Sequence, residues 1–291
     1  MGNKNVTLYE EKRKSSMLFN AMSVTGQFAD GAIKGVGLLG GKALKTLDQQ
    51  LHQQVKDGVD HLKAKLAFYP PPPTYILETE AGGALQMWLL HPESRVKASL
   101  VAAPGFSVFR LQTATGSRVP AYIFEVQKAR FTILCSHSNA TDIGHMCELY
   151  RRLATVLRVN VMAYEYTGYG CCGAQVPTET ETYTDIGAAY AYLVYTKATP
   201  PSRIILYGQS IGSGPTIDLA ARLGYADLAG VIIHSGITSG MRVIQPQMEK
   251  TSWFDIFPNI DKISSILCPV LCIHGVEDIE APKTQVNPTF P

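Results

Sequence analysis

The sequence has no run of about 18 consecutive apolar residues, the length that a membrane-spanning helix requires. Its N-terminus, MGNKNVTLYEEKRKSS, lacks the apolar centre of a secretory signal peptide. The six cysteines do not have the spacing of a zinc site, and there is no aromatic or arginine-rich motif for nucleic acid. We therefore expect a cytoplasmic protein with free thiols, no metal or other cofactor, and no nucleic-acid partner.

Charge is distributed unevenly along the chain, because residues 1–68 carry ten Lys and Arg against six Asp and Glu, whereas the remainder is mildly acidic. A basic amphipathic extension of this kind indicates peripheral contact with an anionic membrane surface, although docking on the rest of the protein or on a partner helix explains it as well. Gly2 offers a myristoylation site, but Val6 stands where that motif requires Ser or Thr. The amphipathic pattern consists of apolar residues at helical steps of three and four: Leu44, Leu47, Leu51, Val55, Val59, Leu62 and Leu66.

The body of the chain follows a proline-rich stretch. We predict three regions: a helical extension at 1–68, a polyproline linker at 69–75, and an α/β domain at 76–291. Buried apolar strands that alternate with amphipathic helices indicate a mostly parallel sheet covered on both faces. The predicted strands lie near 121–126, 131–137, 159–164, 203–207, 228–234 and 269–274, and the predicted helices near 142–157, 180–197, 212–223 and 259–266.

The motif Gly208-Gln209-Ser210-Ile211-Gly212 follows the strand RIILY and precedes the helical pattern SGPTIDLAARL. A G-x-S-x-G motif in this context is typical of the turn that presents the nucleophilic serine of an α/β-hydrolase. The motif alone is common by chance, but a strand before it and a helix after it make the signal specific. We therefore predict that Ser210 is a nucleophile.

A serine nucleophile needs a base and an acid that orients it, which follow the serine in the chain order acid, then histidine. Asp278 comes a few residues after the strand PVLCIH and is the predicted acid, with Glu277 and Glu280 as neighbouring alternatives. No histidine follows Asp278. Three other histidines end predicted strands and are candidates for a rewired base: His137, His234 and His274.

The oxyanion of the transition state requires two main-chain N–H donors. The residue after the nucleophile, Ile211, supplies the first by position. The second is expected from the loop 136–140 that follows the strand 131–137, and Asn139 is our candidate. A simple connection between strand and helix explains this loop equally well.

Six stretches resemble the membrane-associated α/β-hydrolase-domain protein depalmitoylases, which cleave palmitoyl thioesters from cysteines of membrane-bound proteins. This resemblance spans about residues 66–278. It implies Ser210 as nucleophile, Asp278 as triad acid, Asn139 and Ile211 at the oxyanion hole, and S-acylated proteins as substrates. The stretches are LAFYPPPPTYIL, ILCSHSNATDIGHM, YEYTGYG, IILYGQSIGSGPTIDLAAR, HSGITSGMRV and WFDIFPNIDKISSILCPVLCIHGVED.

The chain departs from that family at three points. Ser138 replaces a glycine of the family, and no cysteine precedes Cys135, where the family has an N-terminal cysteine cluster. The similarity ends at Asp278, so the family's last strand, histidine loop and final helix are expected to be missing and the chain to be truncated. We therefore expect thioester hydrolysis barely above background. The alternatives are a silent relative that acts as a binding protein, and a general carboxylesterase or serine peptidase of the same fold.

Overall fold

The computed structural model describes residues 67–224 and 227–275, together with Gly58 and residues 63–65. The chain divides into two compact units, Met1–Leu62 and Lys63–Pro291. Gly2, most of the predicted amphipathic helix and Asp278 lie outside the described residues. In the part that is described, no helix combines the length and apolarity needed to cross a membrane.

Within the described ranges, ten strands form two sheets. They are β1 (Tyr75–Thr79), β2 (Leu85–Leu90), β3 (Lys97–Leu100), β4 (Phe106–Gln112), β5 (Arg118–Phe124), β6 (Thr132–Ser136), β7 (Asn160–Tyr164), β8 (Ile204–Gln209), β9 (Gly230–His234) and β10 (Val270–Ile273). Strands β1 to β3 form a small antiparallel sheet. The main sheet has the order β10-β9-β8-β6-β7-β5-β4, in which β10 to β7 are parallel and β5 and β4 are antiparallel. All six predicted strands are present.

The helices lie between the parallel strands, as predicted. They are α1 (Ile143–Leu157), α2 (Glu179–Ala191), which continues as a π-helical turn over Tyr192–Thr196, α3 (Ser213–Arg222), α4 (Gly240–Ile244) and α5 (Asn259–Lys262). Helix α1 begins where the Asp142 carboxylate accepts a hydrogen bond from the main-chain N–H of His145, at 2.9 Å. Thr178 caps α2 in the same way. These side chains satisfy N–H groups that a helix start otherwise leaves without a partner.

The main sheet is buried on both faces because successive residues of its central strands point to opposite sides. On β6, Ile133 faces a core that contains α1 and the small sheet, whereas Leu134 faces a core that contains α2 and α3. Gly144 lets α1 approach the small sheet closely, since a β-carbon there would lie 2.7 Å from the ring of Tyr75. Continuous apolar strands are thus explained by two-sided burial.

A buried carboxyl group ties α2 to the loop after β7. Asp185 accepts hydrogen bonds from the main-chain N–H of Thr167 at 2.8 Å and from its hydroxyl at 2.9 Å. Burial raises the pKa of Asp185 to about 8, although the two bonds from Thr167 act in the opposite direction. The folded protein therefore holds a proton on this group at neutral pH.

This proton makes stability depend on pH. In the unfolded chain an aspartic acid has a pKa of about 3.9, so between about pH 4 and pH 8 only the folded state binds the proton. The free energy of unfolding should fall as pH rises across this window, by up to about 1.4 kcal/mol per pH unit. Urea unfolding of wild type and Asp185→Asn between about pH 5 and pH 8 checks this. Parallel profiles for the two proteins would contradict it.

Candidate active site

Ser210 lies on a sharp turn between β8 and α3. Its φ is +52°, in the left-handed region that residues other than glycine rarely adopt. The turn continues as one 3-10 turn, Ser210–Gly212, before α3 begins. The strand, turn and helix predicted around this serine are therefore present, and the main chain at Ser210 is strained. Strain of this kind collects at functional sites, where the surrounding structure holds it in place.

The two glycines of the motif are required by close packing. A β-carbon on Gly208 would lie 2.5 Å from the carbonyl oxygen of Gly212 and 2.6 Å from Thr216 Oγ1. A β-carbon on Gly212 would collide with the carbonyl oxygen of Ser136 and lie 2.7 Å from that of His137. Only glycine fits at both positions. The turn is thus packed directly against the end of β6.

Hydrogen bonds around Ser213 fix the start of α3. The hydroxyl of Ser213 donates to the carbonyl oxygen of Ser210 at 2.6 Å. The hydroxyl oxygen of Ser213 also accepts from the main-chain N–H of Ile237 and from the Asn259 side chain, both at 3.2 Å. Ile211, the predicted oxyanion donor, is buried within this turn. The strained serine is therefore locked by groups from three parts of the chain.

The loop 136–140, which we call the oxyanion loop after its predicted role, begins beside the turn that carries Ser210. Strands β6 and β8 are parallel neighbours, and Ser136 pairs with Gly208 in their register. The structure thus brings together the two segments that the sequence predicts for the oxyanion hole. Ala140 has a φ of +52°, whereas Ser138 is not among the residues of positive φ. A serine in place of glycine at position 138 is therefore compatible with the backbone.

The side chain of Asn139 anchors this loop through hydrogen bonds. Its Nδ2 donates to the carbonyl oxygen of Ala67 at 2.7 Å. Its Oδ1 accepts from the main-chain N–H groups of Tyr69 at 3.0 Å and Ala140 at 3.1 Å, and from the hydroxyl of Tyr169 at 2.7 Å. The predicted role in the oxyanion hole belongs to the main-chain N–H of Asn139. The side-chain contacts show how the loop is held.

His137 forms a fully buried pair with Glu165. Its Nε2 lies 2.9 Å from Glu165 Oε1, and its Nδ1 lies 2.9 Å from the carbonyl oxygen of Ser138. Glu165 also accepts hydrogen bonds from the hydroxyl of Tyr75 at 3.0 Å and the main-chain N–H of Ile143 at 3.2 Å. A carbonyl oxygen only accepts, so Nδ1 donates to Ser138, while Nε2 shares a hydrogen bond with Glu165. Both ring nitrogens are therefore engaged in buried hydrogen bonds.

Such a histidine cannot take a proton from Ser210, so the geometry removes His137 from the candidate bases. His234 pairs with Gln209 in the register of β9 and β8, and its Nδ1 lies 2.7 Å from the hydroxyl of Tyr207. His274 directly follows β10. Strand β10 runs parallel to β9, so the chain leaves the sheet at the end where Ser210 lies. Asp278, three residues after the last described residue, remains a prediction.

The cysteines and carboxylates of the described ranges offer no metal centre, because no group of three or more metal-ligating side chains is found there. Burial raises the pKa of Cys172 to about 12 and also raises the pKa of Cys171. Both thiols are therefore protonated at neutral pH and are poor nucleophiles.

The chain is similar in sequence to named proteins over most of its length. It is 43% identical over 220 residues to human alpha/beta hydrolase domain-containing protein 17B, a match that covers 75% of this chain and 74% of the relative. It is 38% identical over 243 residues to mouse alpha/beta hydrolase domain-containing protein 17C, with 75% of each chain covered. The chain belongs to the alpha/beta hydrolase domain-containing protein 17 family. No family model matches it.

Solved structures agree with this family's fold. A puromycin-hydrolysing peptidase from Mycobacterium tuberculosis has a TM-score of 0.52 at 16% identity, covering 73% of this chain and 38% of the peptidase. An alpha-beta hydrolase from Vibrio vulnificus has a TM-score of 0.50 at 18% identity, covering 62% and 68%. Identities this low establish the fold alone. The fold is that of the α/β-hydrolases.

Sequence reasoning missed Glu165 in this member of the alpha/beta hydrolase domain-containing protein 17 family. The available signal was an acidic residue directly after the buried strand β7, at the same end of the sheet as Ser210. Sequence reasoning also did not predict the hydrogen bonds that order the segment after β9, where the buried Arg242 donates to the carbonyl oxygens of Met248 and Glu249 at 3.1 and 3.3 Å. Asp255 closes this segment by accepting from the main-chain N–H of Met241 at 2.9 Å.

Breaking the buried pair should destabilise the protein strongly. Glu165→Ala leaves His137 Nε2, the Tyr75 hydroxyl and the Ile143 N–H buried without this partner; at about 1–3 kcal/mol for each unsatisfied group, we expect a loss of several kcal/mol in the free energy of unfolding. The matched control is Glu148→Ala, which breaks an exposed ion pair with Arg151 and should have a much smaller effect. Urea unfolding of both variants measures the difference. Equal losses would show that the buried pair has no special role.

Proposed function

We propose that this protein is a serine hydrolase of the depalmitoylase type. Ser210 Oγ attacks the carbonyl carbon of a long-chain acyl thioester, forming an acyl-serine ester while the cysteine leaves as a thiol. Water then hydrolyses the ester and releases the fatty acid. The observation that carries the proposal is the strained φ of +52° at Ser210, held by a turn in which only glycine fits on either side.

The proposed oxyanion donors are the main-chain N–H groups of Ile211 and Asn139, which stand on two segments that meet at the end of β6 and β8. A preformed pair of donors stabilises the charge that develops in the transition state. Asp278 is the proposed acid. His137 is not the base, because both of its ring nitrogens are engaged in hydrogen bonds with Ser138 and Glu165.

The proposed substrate is an S-acylated protein, and the proposed location is the cytoplasmic face of a membrane, with peripheral contact through residues 1–68. Two features support a long acyl chain as part of the substrate. They are the resemblance to depalmitoylases and the exposed apolar side chains on the segment after β9, which makes a hydrogen bond to Ser213 through Ile237. Ile244 and Trp253 are 52% and 71% exposed. A contiguous exposed apolar patch often marks a binding surface, and we propose that these two side chains form one.

The first experiment tests the nucleophile with a fluorophosphonate probe. Added imidazole supplies an external base and should accelerate labelling. Mass spectrometry should place the label on Ser210, and Ser210→Ala should abolish the accelerated reaction.

The matched control is Ser202→Ala, which replaces an exposed serine just before β8 in the sequence. This variant should be labelled like wild type. Labelling that is absent with and without imidazole would contradict the proposal. It would favour a silent relative that binds acylated partners without turnover, the alternative supported by the engagement of both ring nitrogens of His137.

A second experiment tests the acyl chain. With imidazole present, Ile244→Ser and Trp253→Ala should slow the hydrolysis of a palmitoyl thioester several-fold and leave an acetyl thioester unaffected, because only the long chain reaches an apolar surface. Val156→Ser is the control, since Val156 is an equally exposed apolar residue on α1. Equal effects on both substrates would show that the segment does not select chain length.

A further inference from the structure

Residues 67–75, which we call the strap, lie along the loop between β6 and α1. The strap includes the predicted polyproline linker. At one end, the Asn139 amide makes hydrogen bonds with the main chain on both sides of residue 68. It donates to the carbonyl oxygen of Ala67 at 2.7 Å and accepts from the N–H of Tyr69 at 3.0 Å. At the other end, Thr74 donates its main-chain N–H to Asp142 Oδ2 at 2.7 Å. The strap is therefore attached to both ends of the loop.

An aromatic side chain adds packing to these bonds. Phe68 is only 4% exposed and makes edge contacts with Tyr169, at 6.4 Å between ring centroids, and with Phe257, at 5.9 Å. Tyr169 donates its hydroxyl to Asn139. Phe257 packs so closely on α3 that a β-carbon on Gly214 would collide with its ring. Phe68 thus lies between groups attached to the oxyanion loop and to the helix that follows Ser210.

The strap also contacts the buried pair beneath the loop. The hydroxyl of Tyr75 donates to Glu165 Oε2 at 3.0 Å, and Glu165 holds His137. The oxyanion loop itself contains a strained residue, Ala140, with a φ of +52°. A strained loop needs external contacts to remain in one conformation. Asn139 Oδ1 supplies one of them, because it accepts the N–H of Ala140 while it binds the strap.

We propose that the strap positions the oxyanion loop, with Phe68 and the Asn139 side chain as positioning residues, so that release of residues 67–69 loosens the main-chain N–H donor proposed at Asn139. The proposal rests on the proposed function in one respect, the catalytic use of that N–H. The attachment of the strap to the loop stands independently of it. Any event that pulls on the segment before residue 67 would then alter the site.

Hydrogen–deuterium exchange of the full chain tests the attachment without catalysis. In Phe68→Ala the main-chain amides of residues 138–140 should exchange about tenfold faster or more, while those of β6 keep the wild-type rate. Tyr69→Ala should not change the loop, because the Tyr69 side chain is exposed and its main-chain N–H remains. A loop that exchanges equally in wild type and Phe68→Ala would overturn the proposal.

A second variant keeps the test decisive if Phe68→Ala does not fold. Asn139→Asp replaces the Nδ2 donor to Ala67 with an oxygen but retains the acceptor for Tyr69. It should accelerate amide exchange at residues 67–69 and 138–140 together. Faster exchange at only one of the two segments would show that they are not coupled and would overturn the proposal.

Labelling of Ser210 by a fluorophosphonate in the presence of imidazole measures the effect on chemistry. Phe68→Ala should lower the maximal labelling rate about tenfold or more and leave the probe concentration at half-maximal rate unchanged, because oxyanion donors act in the transition state. Tyr195→Ala, at an 84% exposed aromatic residue elsewhere, should behave like wild type. If wild type is not labelled but Phe68→Ala accelerates exchange in the loop, only the proposed function is contradicted. If wild type is labelled but Phe68→Ala leaves exchange in the loop unchanged, only this inference is contradicted.

Discussion

The buried pair of His137 and Glu165 is the interaction on which the geometry of the site depends. It joins the carboxyl ends of β6 and β7, and through Glu165 it also binds the first turn of α1 and the first strand of the small sheet. Polar groups removed from water are tolerable only when their donors and acceptors have partners. The contacts of Glu165 meet that condition, and they fix the point from which the oxyanion loop starts.

The turn that carries Ser210 is held by close steric packing and by the hydrogen bonds of Ser213. Its φ is unfavourable for serine, and its glycines exist because the main chain of β6 and the side chain of Thr216 occupy the space that a β-carbon would need. Ser213 then fixes the carbonyl group of Ser210 and receives hydrogen bonds from the segment after β9. Steric closeness sets the distance between turn and loop, while hydrogen bonds set the direction in which the turn faces.

The parts of the fold that were predictable are those whose burial leaves a continuous apolar pattern. Strands β5 to β10 and helices α1 to α3 have such patterns because both faces of the sheet are covered. The small sheet was missed because β3, Lys97–Leu100, is exposed at every residue and has no period to detect. Likewise Glu165 was missed because its partners His137 and Tyr75 are 28 and 90 residues away, so no local pattern marks the pair.

The serine at position 138 illustrates why a resemblance alone misleads about a loop. A glycine at this position in the family suggests that a side chain would disturb the oxyanion hole. In this chain the left-handed residue of the loop is Ala140, and Ser138 only offers its carbonyl oxygen to His137 Nδ1. The conformation is thus imposed from outside, by the buried pair below and by Asn139 and the strap beside it. A loop fixed by its contacts tolerates a change of residue as long as the contacts persist.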